Sequence, residues 1–174
     1  EAKKLSTAIS KLQKKYKGGS LSLPEDAEDV HSAIHAELSR IAGKVVDKLH
    51  TARSRNDLVS QSSRLYCKEK SIIFISLIEN LQREILKQAE KSQTVLLAGM
   101  THMQPAQIVS LAHIFLSYVE MLDRPKQMFA LSMDLADVCV VGSGALAGVT
   151  FRLDQKAIAR ELNLSRVVSN SYDV

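Results

Sequence analysis

Apolar residues recur at helical spacing along most of the chain. Residues 2–17 have one apolar face and are followed by Gly18-Gly19, which predicts a first helix that ends at the glycines. A second helix is expected from about Ala27 to Ile41. It follows an acidic stretch whose carboxylates would oppose the positive end of the helix dipole.

Residues 57–98 contain no Gly and no Pro and are the most informative stretch for the architecture. Its apolar residues repeat at helical spacing, and one continuous helix over this stretch would be about 63 Å long. An isolated helix of that length needs partners along its sides, so we predict a helical bundle formed between chains. A bend or an end near Ser92 fits the pattern equally well.

Shorter elements are predicted in the rest of the chain. A loop is expected over residues 99–105, and a helix over 106–140 that Pro125 should kink or interrupt. Residues 142–148 contain three glycines and predict a tight turn. A short helix is expected over residues 154–162.

The composition agrees with a helical protein. Hydrophobic residues make up 45% of the 174 residues and charged residues 24%, and there are only 7 Gly and 3 Pro. This balance is typical of a soluble globular protein, and the scarcity of breakers favours long helices. We therefore predict an all-α fold, without a membrane span because the apolar runs are short.

The net charge of +4 and the two cysteines indicate which partners and which cell compartment to expect. The basic residues cluster only near the start and lack the aromatic or glycine interleaving of nucleic-acid patches, so no nucleic-acid partner is expected. Cys67 and Cys139 are interpreted as reduced and buried, which is typical of an intracellular protein. Because the sequence starts with Glu1, the true start is expected to be missing.

Three polar segments lie where helices are expected to begin or end, at residues 29–31, 49–57 and 101–107. The second combines arginines with a hydroxyl and a carboxamide directly before a long helix. Paired guanidinium donors and free helix amides suit an anionic ligand. A helix cap with exposed arginines explains the same pattern, and spacing alone does not separate the two.

Histidines offer two further candidates. His102 lies beside a hydroxyl and two carboxamides, and an imidazole can transfer a proton in either direction near neutral pH; a structural loop histidine is the alternative. His31 and His35 are four residues apart, the spacing of a helical zinc pair, but no third ligand follows at a supportive distance. We therefore expect no metal site.

Taken together, five segments resemble the motifs of argininosuccinate lyases in order and spacing. Residues 48–57 are similar to KLHTGRSRND, 99–107 to GYTHLQ-x-AQ, 28–31 to EDIH, 142–148 to GSGAIAG and 170–173 to NS-x-D. Adenylosuccinate lyases and fumarases share the superfamily but differ in the first of these segments. The resemblance covers essentially the whole chain.

The resemblance implies a long-helix bundle of the fumarase/aspartase superfamily, here incomplete. Residues 1–54 would belong to the N-terminal helical domain, and residues 55–174 to the central bundle. It also implies a cytoplasmic homotetramer whose active sites are shared between subunits. Residues 57–98 and 106–140 would be two central helices.

The family reaction is the reversible β-elimination of argininosuccinate to arginine and fumarate, a carbon–nitrogen lyase step of arginine biosynthesis and the urea cycle. The resemblance implies that Ser54, Arg55 and Asn56 hold substrate carboxylates, with His31 nearby. Thr101 would bind substrate from a neighbouring subunit, and His102 would transfer a proton. No metal or organic cofactor is implied.

The chain departs from the family pattern at Ala52, at Ile108, where the family often has Pro, and at residues 150–152. Ala52 replaces a family glycine and would be strained if that position needs positive φ. The family's GSS-x-MP-x-K-x-NP loop, which carries the catalytic serine, is absent from these residues, so we expect this chain to be inactive alone. A δ-crystallin-like structural role and another superfamily lyase, such as adenylosuccinate lyase, remain alternatives.

Overall fold

Helices form most of the computed structural model, which describes residues 1–22 and 27–174. The chain divides into two units, Glu1–Ser54 and Arg55–Val174. Long helices dominate, as predicted for an all-α chain. The assignment of each unit to part of a larger domain stays a prediction.

The first unit contains α1 (Ala2–Lys17), α2 (Val30–Ala42) and a 3₁₀ helix (Gly43–His50). Its core consists of Ala8, Leu12, Leu38, Ala42 and Val46.

Helix α1 has its predicted bounds, whereas α2 begins three residues later than expected. Asp29 is the N-cap residue, because its side chain accepts a hydrogen bond from the amide of Ser32 at 2.7 Å. Glu25 and Asp26 of the acidic stretch lie outside the described residues.

The second unit is organised by α3 (Arg55–Lys91) and α4 (Leu111–Ala136). Helix α3 ends at Lys91, so the alternative with an end near Ser92 is the correct one. Gln82 donates to the carbonyl of Val119 at 3.0 Å, and Arg64 donates to that of Leu135 at 3.3 Å. The two helices therefore pack along each other in antiparallel directions.

A β-hairpin replaces the predicted loop and the predicted start of the following helix. Strands β1 (Leu96–Thr101) and β2 (Gln104–Ser110) pair antiparallel, and α4 starts only at Leu111, where the hydroxyl of Ser110 caps it. Gly99 lies at a bulge, where an added Cβ would be 2.9 Å from the carbonyl oxygen of Gln107. Pro125 lies inside α4 without ending it.

The last part of the chain is compact and largely as predicted. The Gly-rich segment 142–148 forms turns, and α5 (Gln155–Glu161) is capped by Asp154. Two short strands, β3 (Val138–Cys139) and β4 (Arg166–Val167), pair in parallel.

Both cysteines were predicted to be buried, and this prediction is confirmed for only one of them. Both thiols are free, and Cys139 is buried. Cys67 is exposed, because it lies on the solvent side of α3 in this chain. Within residues 1–22 and 27–174, no helix combines the length and the hydrophobicity needed to cross a membrane.

Candidate functional site

The predicted site residues lie in three places. His31 is on α2 and Ser54 is the last residue of the first unit; both are partly buried. Arg55 and Asn56 are the first residues of α3, and Thr101 and His102 lie in the hairpin.

Asn56 borders a cavity of about 250 Å³ at the start of α3. The other walls include Gly144 and Leu146 of the Gly-rich turn, and Ser171 and Tyr172 near the last residue. The side chain of Asn170 accepts a hydrogen bond from the amide of Tyr172 at 2.9 Å and so orders this last segment. Three of the five resembling segments therefore meet at one cavity.

Asp57 connects two walls of this cavity. Its carboxylate is fully buried, and one oxygen accepts hydrogen bonds from the amides of Gly142 and Gly144, both at 3.0 Å. Gly144 has φ +65°, and an added Cβ would lie 2.7 Å from the carbonyl oxygen of Gly148. Only glycine fits this turn without strain.

Gln61, one helical turn after Asp57, makes a similar pair of contacts. Its side-chain oxygen accepts from the amide of Val140 at 2.8 Å, and its amide donates to the carbonyl of Val138 at 3.5 Å. Asp57 and Gln61 were not predicted as site residues. Their four-residue spacing was a signal of a shared polar face, but the sequence did not indicate what that face contacts.

The hairpin presents the second group of site residues. Thr101 pairs with Gln104, and His102 and Met103 form the two-residue turn with φ of 50° and 63°. Positive φ at both central residues is the type I′ arrangement, which normally favours Asn-Gly. All four side chains are exposed, so the imidazole lies at the tip of a projecting hairpin.

One chain does not bring the two groups together. Helix α3 has 37 residues, which is about 54 Å from end to end. Asn56 lies at its start, whereas the hairpin follows its end. The turn at Ser92–Val95 and a fully extended segment from Val95 to His102 together reach back at most about 30 Å along the helix, which leaves a gap of at least about 20 Å between Asn56 and His102.

Two further sequence-based expectations concern the first unit. Ala52 has φ 57°, so the position does require the left-handed conformation, and alanine costs about 1 kcal/mol there. His35 lies 3.4 Å from a carboxylate oxygen of Asp47. Among the residues that the structure describes, no group of three or more His, Cys, Asp or Glu side chains is arranged to hold a metal ion.

Comparison with known proteins places this arrangement in a family. A family model described as lyase matches residues 1–173. The argininosuccinate lyases of Sulfurihydrogenibium sp. (strain YO3AOP1) and Exiguobacterium sp. (strain ATCC BAA-1283 / AT1b) are 39% and 40% identical to 99% of this chain. The chain spans 38% and 37% of their lengths.

Solved structures agree on the fold. EDDS lyase in complex with formate has a TM-score of 0.80 at 22% identity, over 97% of this chain and 32% of its own. Class II fumarase from Schistosoma mansoni has a TM-score of 0.73 at 18% identity, over 91% of this chain and 38% of its own. The expected helical-bundle fold is thereby confirmed, and the chain belongs to the lyase family, whose model matches nearly all of it.

Proposed function

We propose that the protein containing this chain is an argininosuccinate lyase, which cleaves argininosuccinate into arginine and fumarate. The observation that carries the proposal is the pair of exposed polar groups, Arg55-Asn56 at the start of α3 and Thr101-His102 at the hairpin tip. Both occur in a chain about 39% identical to proteins named argininosuccinate lyase.

The reaction needs donors for an anionic substrate and a group that transfers a proton. A base removes the proton beside one carboxylate, charge develops on that carboxylate, and the guanidinium nitrogen then leaves with a proton from an acid. Ser54, Arg55 and Asn56 would hold the carboxylates, with His31 nearby. Thr101 would bind the substrate and His102 would transfer a proton. The proposed reaction uses no metal or organic cofactor.

A complete site would then require more than one chain. The gap of at least about 20 Å between Asn56 and His102 prevents one chain from placing both on the same substrate. Large apolar side chains on α3 and α4 offer a surface for association, since many are about half exposed: Ile72, Phe74, Leu77, Leu81, Met121 and Leu131. We propose a homotetramer in which a neighbouring hairpin completes each site.

The activity is tested with the product of the complete open reading frame that contains these residues. Fumarate release from argininosuccinate is expected, and His102→Asn should slow it at least about 100-fold. Turnover of adenylosuccinate or malate instead would identify another superfamily lyase. A folded oligomer that turns over none of the three would support a δ-crystallin-like structural role.

An assay of the 174 residues alone tests whether they can catalyse the reaction without the rest of the protein. These residues do not contain a GSS-x-MP segment, and we expect them to release no fumarate. Release at the rate of the complete product would contradict the need for that segment.

A further inference from the structure

Asp57 is an unusual residue to find fully buried at the first turn of a helix. A buried carboxylate is costly unless hydrogen bonds stabilise it. Here the amides of Gly142 and Gly144 both point at the same oxygen, each at 3.0 Å. Gly142 and Gly144, which flank Ser143, both have positive φ, and their two amides form an anion-binding nest around this oxygen.

The nest connects two walls of the cavity. Asn56 precedes Asp57 on α3, and Gly144 is itself one of the donors; both line the cavity. The turn has little freedom of its own, because the amide of Gly148 donates to the carbonyl of Ser143 at 2.8 Å. A movement of the carboxylate would therefore move the whole turn relative to Asn56.

We propose that Asp57 is a positioning residue: its buried carboxylate sets the distance between the Asn56 side chain and the Gly-rich turn, and thereby the fit of an anionic substrate group between them. This inference rests on the proposed function. Asp57 does not line the cavity, so it acts through its neighbours and not by touching substrate.

Gln61 provides a matched control on the same face of α3. It also makes two hydrogen bonds to the backbone of the same segment, but to Val138 and Val140, which do not line the cavity. Gln61→Ala removes two hydrogen bonds to this backbone, one buried and one partly buried, one turn farther from the cavity. A merely structural role predicts similar consequences for the two variants.

The test compares Asp57→Ala and Gln61→Ala in the product of the complete open reading frame. Both should lower the melting temperature. Asp57→Ala should raise KM for argininosuccinate roughly tenfold or more at a temperature where the protein is fully folded, whereas Gln61→Ala should leave KM within about twofold. Equal changes of KM in the two variants would overturn the proposal. Where Asp57→Ala does not fold, Asp57→Asn keeps an acceptor oxygen and should raise KM in the same direction.

A second measurement needs no substrate. Amide hydrogen exchange at Gly142 and Gly144 should accelerate in Asp57→Ala and stay unchanged in Gln61→Ala. Unchanged exchange in Asp57→Ala would overturn the positioning role. Absence of fumarate release by the unaltered protein would instead contradict the proposed function, so the two failures are distinguishable.

Discussion

Two inactive variants of this protein should restore activity when they are combined in one oligomer. The variants are Asn56→Ala, which removes a predicted carboxylate ligand at the start of α3, and His102→Ala, which removes the imidazole at the hairpin tip. Each alone should lose about 100-fold or more in fumarate release, because each removes a group proposed to act on the substrate.

The expected recovery follows from the length of α3. Asn56 and His102 of one chain are at least about 20 Å apart, so in the proposed oligomer every site would take its helix start and its hairpin from different chains. In an equal random mixture, half of the helix starts and half of the hairpins are intact. One half multiplied by one half gives intact sites at about a quarter of the total, and about a quarter of the full activity.

The assay is fumarate release after co-expression of the two variants with different affinity tags, so that mixed oligomers are isolated. A second pair, Arg55→Ala with Asn56→Ala, is the control. These neighbouring residues belong to the same helix start, so every site keeps one defect and no recovery is expected. Mixed oligomers of the first pair without recovery would refute the reasoning from the length of α3.

Three further predictions concern the stability of the chain. Gly144→Ala should destabilise the protein by at least about 1 kcal/mol more than Gly19→Ala, since both have positive φ (+65° and +66°) but only Gly144 faces a backbone oxygen at 2.7 Å; denaturant unfolding of both variants checks this. The Lys68 ammonium, 2.5 Å away, lowers the pKa of Asp137 below its ordinary 3.8. Its carboxylate therefore stabilises the fold above about pH 4, and this contribution is lost as the pH falls through the lowered pKa. Asp137→Asn should cost about 1 kcal/mol at neutral pH, and the difference from the unaltered protein should vanish in acid; unfolding measured across this pH range tests the sign. Burial raises the pKa of the Cys139 thiol, so iodoacetamide should modify it only as fast as the protein unfolds, as peptide mass mapping would reveal.

The helices were predictable because their signals are local. Helix α1 ends at the glycines that follow it, and α5 begins after the side chain of Asp154, both as expected. The hairpin was missed for a physical reason. Its turn residues are His102 and Met103, which occupy the left-handed region where the sequence signal would be Asn-Gly. Ile108 also continues the apolar spacing of α4, so residues 106–110 of strand β2 were included in the predicted helix.

The site was predictable only as segments. The motifs identified Asn56 and the Gly-rich turn, but the contact that joins them spans 85 residues, from Asp57 to Gly142. No periodicity encodes a contact between residues so far apart in sequence. The partner of a buried carboxylate depends on how the whole unit folds.

The pattern of burial on α3 indicates that its apolar side chains have a role in contacts between chains. Within the described chain, the helix buries the polar side chains of Asp57, Gln61 and Gln82, and leaves Ile72 and Leu77 about half exposed. The apolar face of α3 is therefore not covered within a single chain. If neighbouring chains cover these apolar side chains, the same face of α3 both holds the chains together and brings the hairpin of a neighbouring chain to each helix start. Association and catalysis would then depend on the same helix, and a charge introduced at Leu77 should abolish both.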